Sequence, residues 1–297
     1  MDKILSGINP QKVLNITKEL AKKTPKIYGK YIITQKLDGI YAQIPFDTTQ
    51  GWGIPLSSNL RQIPAFAWVK DYLNKSVKLP FSCIIIAEAY IPEIPFPILN
   101  GLFNRSVGDC ACKEVQFFTH DIITFDVRDA LTRLSILNKV LDLLFEHNVN
   151  IFRKLEPILL SEYSDKLWKV SFEKVVNSGG EGLVCKRIDS PYSFGKRNSD
   201  LLKLKAECMV DCLAVRYETT VGDQGNIGFT LVSKRRNGTE IRTVINSHAI
   251  QHILQTTPEK IIGKVVTISG MEEFEDGQIR QPIFKYIRED KSSADYE

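Results

Sequence analysis

The chain has 297 residues, of which 43% are hydrophobic and 25% charged, enough to bury one large core or two moderate ones and so to favour two domains. No apolar stretch approaches a membrane span, and Met1-Asp2-Lys3-Ile4-Leu5 is neither a secretory signal nor an arginine-rich transit peptide; a cytoplasmic, unsecreted monomer with no membrane partner is expected. The net charge of +4 is unevenly shared: residues 1–205 carry 28 Lys+Arg against 21 Asp+Glu and residues 206–297 carry 11 against 14, so the first segment is the stronger footprint for a polyanion.

Taken in chain order, β-branched and aromatic runs predict strands within 28–46, 83–91, 115–125, 182–188 and 201–205. Leu134, Leu137, Leu141, Leu144 and Phe145 recur at helical spacing and predict a helix over Leu131–Glu146. A second helix is expected over Leu167–Val176, with Leu167, Val170, Val175 and Val176 apolar and Gly179-Gly180 as its stop. Residues 1–205 therefore read as a mixed α+β domain with its chemistry on strand ends. From about Ala206 the character changes to short strands around 210–217, 227–234, 240–245, 264–270 and 283–288, with Arg236-Asn237-Gly238-Thr239 as a two-residue hairpin signal and a helix over Ser247–Thr256. Five strands and one helix in 206–297 fit a small barrel of the oligonucleotide-binding type, although the count also admits other β folds. There is no internal repeat, and the tail Ser292–Glu297 is expected to be disordered.

The six cysteines form no Cys-x-x-Cys pair and read as free thiols, several of them in apolar strand-like runs. His248 and His252, one helical turn apart, have no third ligand nearby in sequence and read as a solvated helix face.

Five segments carry chemistry: Lys36-Leu37-Asp38-Gly39 after the run Tyr31–Gln35; Glu88 after Ile84-Ile85-Ile86-Ala87; His120-Asp121 within 117–123; Glu181-Gly182-Leu183-Val184-Cys185-Lys186; and Leu201-Leu202-Lys203-Leu204-Lys205. A lysine amine attacks only once its pKa is depressed, by burial, nearby cations or a metal. Lys203 and Lys205, two apart in a strand, put both ammonium groups on one side with Leu202 and Leu204 on the other, where they would stabilise charge developing on phosphates. Glu181, at an exposed strand start, can hold a hard cation through oxygen. Glu88, in an apolar run, needs a partner. Gly39 is free to take a positive φ in the turn after Lys36.

In their order these motifs resemble the covalent nucleotidyltransferase superfamily of ATP-dependent DNA ligases, RNA ligases and mRNA capping enzymes, over roughly Tyr31 to Lys291. Tyr192-Ser193-Phe194-Gly195-Lys196-Arg197-Asn198 is similar to the Tyr-x-x-Gly-Lys-Arg segment of DNA ligases, and Arg288-Glu289-Asp290-Lys291 to the Arg-x-Asp-Lys motif that closes many of them. The resemblance is strongest to small viral and phage ATP-dependent DNA ligases, which would place the protein in a host cytoplasm and in DNA repair or replication.

That resemblance implies a nucleotidyltransferase (adenylation) domain over 1–205 and an oligonucleotide-binding-fold (OB-fold) domain over 206–297. It implies that Lys36 attacks the α-phosphate of ATP, expels pyrophosphate and holds AMP through a phosphoramidate bond before AMP passes to a 5′-phosphate of nicked duplex DNA. Lys203 and Lys205 would flank the phosphates, and Glu181, with Glu88 in the ribose or metal-water network, would hold Mg2+. His120 would stack on adenine, Thr34 would read the base edge and Lys186 would join the nucleotide contacts. Arg61 would grip the terminal nick phosphate. Arg288, Asp290 and Lys291 would orient the leaving pyrophosphate when the small domain closes.

Two positions depart from the pattern. Tyr41 stands where DNA ligases typically carry arginine after Lys-x-Asp-Gly, and Ser58 where an arginine often follows a serine; both belong to the nick-phosphate grip. No N-terminal DNA-binding domain is expected before Lys36, and the chain between Tyr217 and Phe229 is expected to be too short for a long encircling hairpin. The rival readings are an RNA ligase, a GTP-using capping enzyme and a non-catalytic nucleic-acid-binding protein on the same scaffold.

Overall fold

The protein is described from a computed structural model. It covers the chain apart from residues 1–3, 21, 24, 93, 95, 104–109, 125, 127, 128, 179, 223, 224, 272, 275, 293–295 and 297. Two compact units divide it, Met1–Lys205 and Ala206–Glu297. Most of the tail expected to be disordered, and Gly179 of the expected helix stop, lie outside the described residues. No described helix is long and apolar enough to cross a membrane.

Among the described residues the first unit holds ten strands: β1 Lys12–Asn15, β2 Lys30–Lys36, β3 Ile40–Asp47, β4 Gly51–Trp52, β5 Cys83–Tyr90, β6 Gln116–Ile123, β7 Phe152–Lys154, β8 Leu159–Glu162, β9 Gly182–Arg187 and β10 Arg197–Lys205. Its α-helices are α1 Ile16–Leu20, α2 Ala67–Ser76, α3 Phe96–Phe103, α4 Ala130–Glu146 and α5 Asp165–Asn177. The strands form two mixed five-stranded sheets, one in the order β1-β10-β9-β2-β8 and one in the order β4-β3-β5-β6-β7. β1 runs parallel to β10, and β7 parallel to β6.

Alternation decides what each sheet buries. In the first sheet Tyr31, Ile33, Leu183, Cys185 and Leu202 pack with Trp168 and Val175 of α5, while Ile32, Thr34, Lys36, Val184, Lys186, Leu201 and Lys203 face a cavity. In the second sheet Ile44, Ile85, Phe117 and Ile122 pack against Val69 and Leu73 of α2 and Leu137, Leu141 and Leu144 of α4. Asp129 caps α4 by accepting from Thr132 N at 2.9 Å, and Ser164 caps α5.

Three local expectations change. Phe145 is 39% exposed, and the buried stripe of α4 is instead Ala130, Arg133, Leu137, Val140, Leu141 and Leu144. Gly39 does not take a positive φ; glycine is needed because a Cβ there would press on Ala89 O and Glu88 Cγ of β5, at 2.6 and 2.7 Å. α2 also escapes sequence periodicity, because it buries only Val69 and Leu73.

The second unit contains β11 Cys208–Val221, β12 Ile227–Lys234, β13 Glu240–Ile245, α6 His248–Thr256, β14 Val265–Gly270 and β15 Ile283–Ile287. All its strand pairs are antiparallel, in the order β13-β12-β11-β14-β15, and β13 also comes into contact with β15, bending the sheet towards closure. Leu254 of α6 joins the core formed by Val210, Cys212, Leu231, Ile241, Val266 and Ile268. The Asn237-Gly238 turn is a three-residue loop rather than a two-residue one: Arg235 N donates to Thr239 O, Gly238 N donates to Arg235 O, and Gly238 takes φ +92°. The β11–β12 ladder ends on the pair Val221–Ile227. His248 and His252 are both exposed on α6.

Candidate active site

The site is built where β2, β9 and β10 of one sheet face β5 and β6 of the other across a cavity of about 540 Å3. Lys36 ends β2 opposite Gly182 in the β2–β9 register. Its ammonium donates to Glu181 Oε2 at 2.6 Å. Glu181 Oε1 is also buried and has no hydrogen-bond partner among the described residues.

Strict strand alternation puts Glu181 and Lys186 on opposite faces. The structure breaks that alternation at the strand start: Lys186 shares the cavity face of β9 with Val184, whereas Glu181 precedes the strand, and Gly182 between them holds φ +148°. A Cβ at Gly182 would run into Leu204 O and Lys205 Cα of β10. Only glycine lets β9 start this close to β10 and swing Glu181 onto Lys36.

Lys203 lines the cavity. Burial, then the nearby charges of Lys205 and Lys36, lower its pKa, so the three lysines share one neighbourhood. Glu88 lies opposite on β5; burial pushes its carboxyl up to about 8, with Lys36 working against the rise and Glu181 and Asp38 adding to it.

His120 and Asp121 are consecutive, yet both line the cavity. A bulge explains this: Ile86 pairs with Asp121 and Ala87 with Thr119, leaving His120 as the extra residue of β6. Burial and the Lys186 charge depress the His120 pKa to about 4, which keeps its ring neutral at pH 7. Lys186 Nζ donates to His120 O at 2.7 Å and to Asp121 Oδ2 at 2.6 Å. Arg133 from α4 takes the same carboxylate through Nε at 2.8 Å and Nη2 at 3.2 Å. Burial raises the Asp121 pKa, but the two cations outweigh it and hold the carboxyl at about 2. Arg133 was invisible to the search for chemical motifs. Its signal was a charge placed on the buried stripe of an amphipathic helix.

Thr34 faces the cavity two residues before Lys36, and Ser58 and Asn59 reach its rim. Arg61 is exposed just beyond, at the end of a turn in which Leu60 takes φ +59°. Tyr41, expected among the nick contacts, packs with Ile84, Ile86, Ile123 and Tyr192, and burial pushes its hydroxyl pKa up. Its side chain therefore helps build the cavity wall instead of occupying an arginine's place at a solvent-facing grip.

Arg288, Asp290 and Lys291 belong to the second unit and meet around Asp211, which sequence reasoning passed over. Asp211 Oδ2 accepts from Arg288 Nη1 at 2.5 Å and Lys291 Nζ at 2.8 Å, while Asp290 takes Arg288 Nε and Nη2 at 2.7 and 2.6 Å.

Comparison with known proteins places these residues in a family context. The family described as "ATP dependent DNA ligase domain" matches residues 13–205. A probable DNA ligase of Dictyoglomus thermophilum is 25% identical over 232 residues, covering 70% of this chain and 38% of its own length. The chain spans between about a quarter and two-fifths of the length of the curated relatives it matches. Among solved structures, a Lig E DNA ligase superposes with TM-score 0.72 at 20% identity, over 94% of this chain and 99% of that one. The ATP-dependent DNA ligase of bacteriophage T7, solved with ATP, superposes with TM-score 0.56 at 20% identity over 96% and 100%. These likenesses show the fold, an α+β nucleotidyltransferase unit followed by an OB-fold unit.

Two predictions follow from the geometry beneath the cavity. Arg133→Ala strands a buried carboxylate on Lys186 alone and should lower unfolding free energy by about 3–5 kcal/mol in urea titrations. His120, neutral in the fold, refuses a proton that the unfolded chain accepts below pH 6.5. Stability should therefore decline from pH 6.5 to about 4, by up to roughly 3 kcal/mol. His120→Phe should flatten that limb, which unfolding midpoints at pH 7 and pH 4.5 will show.

Proposed function

The chain belongs to the ATP-dependent DNA ligase domain family, and on that premise we propose that it seals 5′-phosphate/3′-hydroxyl nicks in duplex DNA with ATP as the source of AMP. The observation that carries the reading is Lys36 at a strand end, bonded to Glu181 and neighboured by Lys203 on the wall of a nucleotide-sized cavity.

Lys36 Nζ attacks the α-phosphorus of ATP. A nitrogen–phosphorus bond forms, the bond to the bridging oxygen breaks and pyrophosphate leaves. Glu181 Oε2, at 2.6 Å, is placed to take the proton that the amine gives up. Lys203 and Lys205 neutralise charge that builds on the phosphates. The neutral His120 ring offers a stacking face for adenine, with Thr34 and Lys186 at the base edge and Glu88 at the ribose. AMP then passes to the 5′-phosphate of the nick, and the adjacent 3′-hydroxyl displaces it. Arg288, Asp290 and Lys291 serve the leaving pyrophosphate.

The carboxylates fit a divalent cation. Glu181 Oε1 is buried and unpaired among the described residues, and burial raises the Glu88 pKa, with the nearby charges of Glu181 and Asp38 adding to it. No group of three or more His, Cys, Asp or Glu among the described residues could hold a metal unaided, so Glu181 and Glu88 would share Mg2+ with phosphate oxygens and water. Bound there, Mg2+ would supply Lewis-acid charge neutralisation.

Lys36→Ala should take no covalent label from α-labelled ATP, while wild type becomes labelled and seals nicked DNA in preference to nicked RNA. Label retained by Lys36→Ala would refute the nucleophile, and preference for RNA would favour an RNA ligase. With Tyr41 withdrawn into the cavity wall, the exposed Arg61 carries the phosphate grip. Arg61→Ala should weaken nick binding by about 1.5–3 kcal/mol and make its log-log salt dependence shallower by about 0.9; affinity across a salt series checks both.

A further inference from the structure

Asp211 is more than 90% buried, in a strand of the second unit. Its two oxygens divide their work. Oδ1 accepts the Thr267 hydroxyl at 2.5 Å from the neighbouring strand β14, and Oδ2 accepts both Arg288 and Lys291. Thr267 and Asp211 are direct partners in the β11–β14 register, so the barrel itself fixes the carboxylate. The two cations follow the end of β15, Arg288 with its backbone N–H bonded to Val265 O of β14 at 2.8 Å and Lys291 three residues on.

Because both cations share one oxygen, they can be no farther apart than the two bonds laid end to end. Two like charges held that close repel each other, and a buried carboxylate is costly to desolvate; as stabilising devices such clusters gain little over apolar packing. What the arrangement supplies is position. Arg288 is locked on its inner edge by Asp211 and on its outer edge by Asp290, which is 64% exposed where Asp211 is 8%. An incoming anion can exchange with the exposed carboxylate while the buried one keeps the pair in place.

We propose that Asp211, held by Thr267, is a positioning residue that fixes Arg288 and Lys291 side by side as a two-point receptor for a diphosphate group. The proposal rests on the reading of Arg288 and Lys291 as pyrophosphate-handling residues. Asp211 itself touches no substrate; it sets the spacing at which two cations meet adjacent phosphates. Arg288 presents a planar fork and Lys291 a point charge, a combination suited to neighbouring phosphates on one chain.

The test uses the whole chain and two readouts. Inorganic pyrophosphate is titrated calorimetrically into wild type, Asp211→Asn and Thr267→Val; Asn keeps the shape and loses the charge, and Val removes the hydroxyl that holds Asp211. Both variants should bind at least tenfold more weakly than wild type. Labelling by α-labelled ATP should slow about tenfold at subsaturating ATP, while sealing of a nick that already carries AMP stays within about twofold. Unchanged pyrophosphate affinity in both variants overturns the proposal. Equal losses in labelling and in sealing overturn it too, since a merely structural role would lower both. Should Asp211→Asn fail to fold, Thr267→Val decides alone. A wild type that binds pyrophosphate but takes no label from ATP would instead refute the ligase reading and leave the pyrophosphate comparison to judge Asp211.

Discussion

The cavity of the first unit depends on one carboxylate. Asp121 belongs to the sheet containing β5 and β6, Lys186 to the sheet containing β2 and β9, and Arg133 to α4, and the three meet as a buried ion cluster. Arg133 also donates to Ser190 O at 3.3 Å, just past the end of β9. The cluster ties both sheets and a helix together where two hydrophobic faces could otherwise slide, because apolar contact has no preferred register and a charged hydrogen bond does. Lys186 reaches the His120 carbonyl as well, so the bulge that turns His120 into the cavity is held from across the cleft. Position of the ring and width of the cleft thus follow from the same few bonds.

Charge near Lys36 is arranged in opposition. Glu181 neutralises one lysine, yet Lys203 and Lys205 stand close enough for burial and mutual repulsion to depress Lys203. Burial, with the Glu181 and Asp38 charges adding to it, drives Glu88 toward its neutral form. Cations of β2 and β10 thus face a carboxylate of β5 and one just before β9. Such a site gains most when a polyanion and a divalent cation arrive together, the composition of a metal-bound nucleotide.

Much of this was legible in the sequence because strand parity is a strong rule. The parity expected for β10 holds at Leu202, in the core, and at Lys203, on the cavity, and the order of motifs pointed to the family. Parity failed at Lys186 and Glu181 for a local reason, since it assumes a regular strand and Gly182 is a break in one. It could not anticipate Asp121 facing the cavity beside His120, because a bulge depends on the partner strand. Arg133 and Asp211 escaped motif reading altogether. Each is a single charged residue whose partners lie in other elements, and only folding brings those partners near. Gly39 was placed correctly in a turn, but its reason is the crowding of β5 and not its own φ.

Tyr41 shows how a substitution at a motif position propagates. An arginine at that position would put a guanidinium among Ile84, Ile86, Ile123 and Tyr192, beside the Asp121 carboxylate's own partners Lys186 and Arg133. Tyrosine buries its ring there and leaves the Asp121 cluster undisturbed. A wall that can be built from apolar contacts excludes water from the nucleotide side, and lower polarity there strengthens each charge that remains. On the proposed reading the cost is one fewer cation for a phosphate, a loss that falls on binding the polynucleotide and not on loading AMP. On that reading the hold on the nick passes to exposed side chains such as Arg61, where solvent and salt screen every contact.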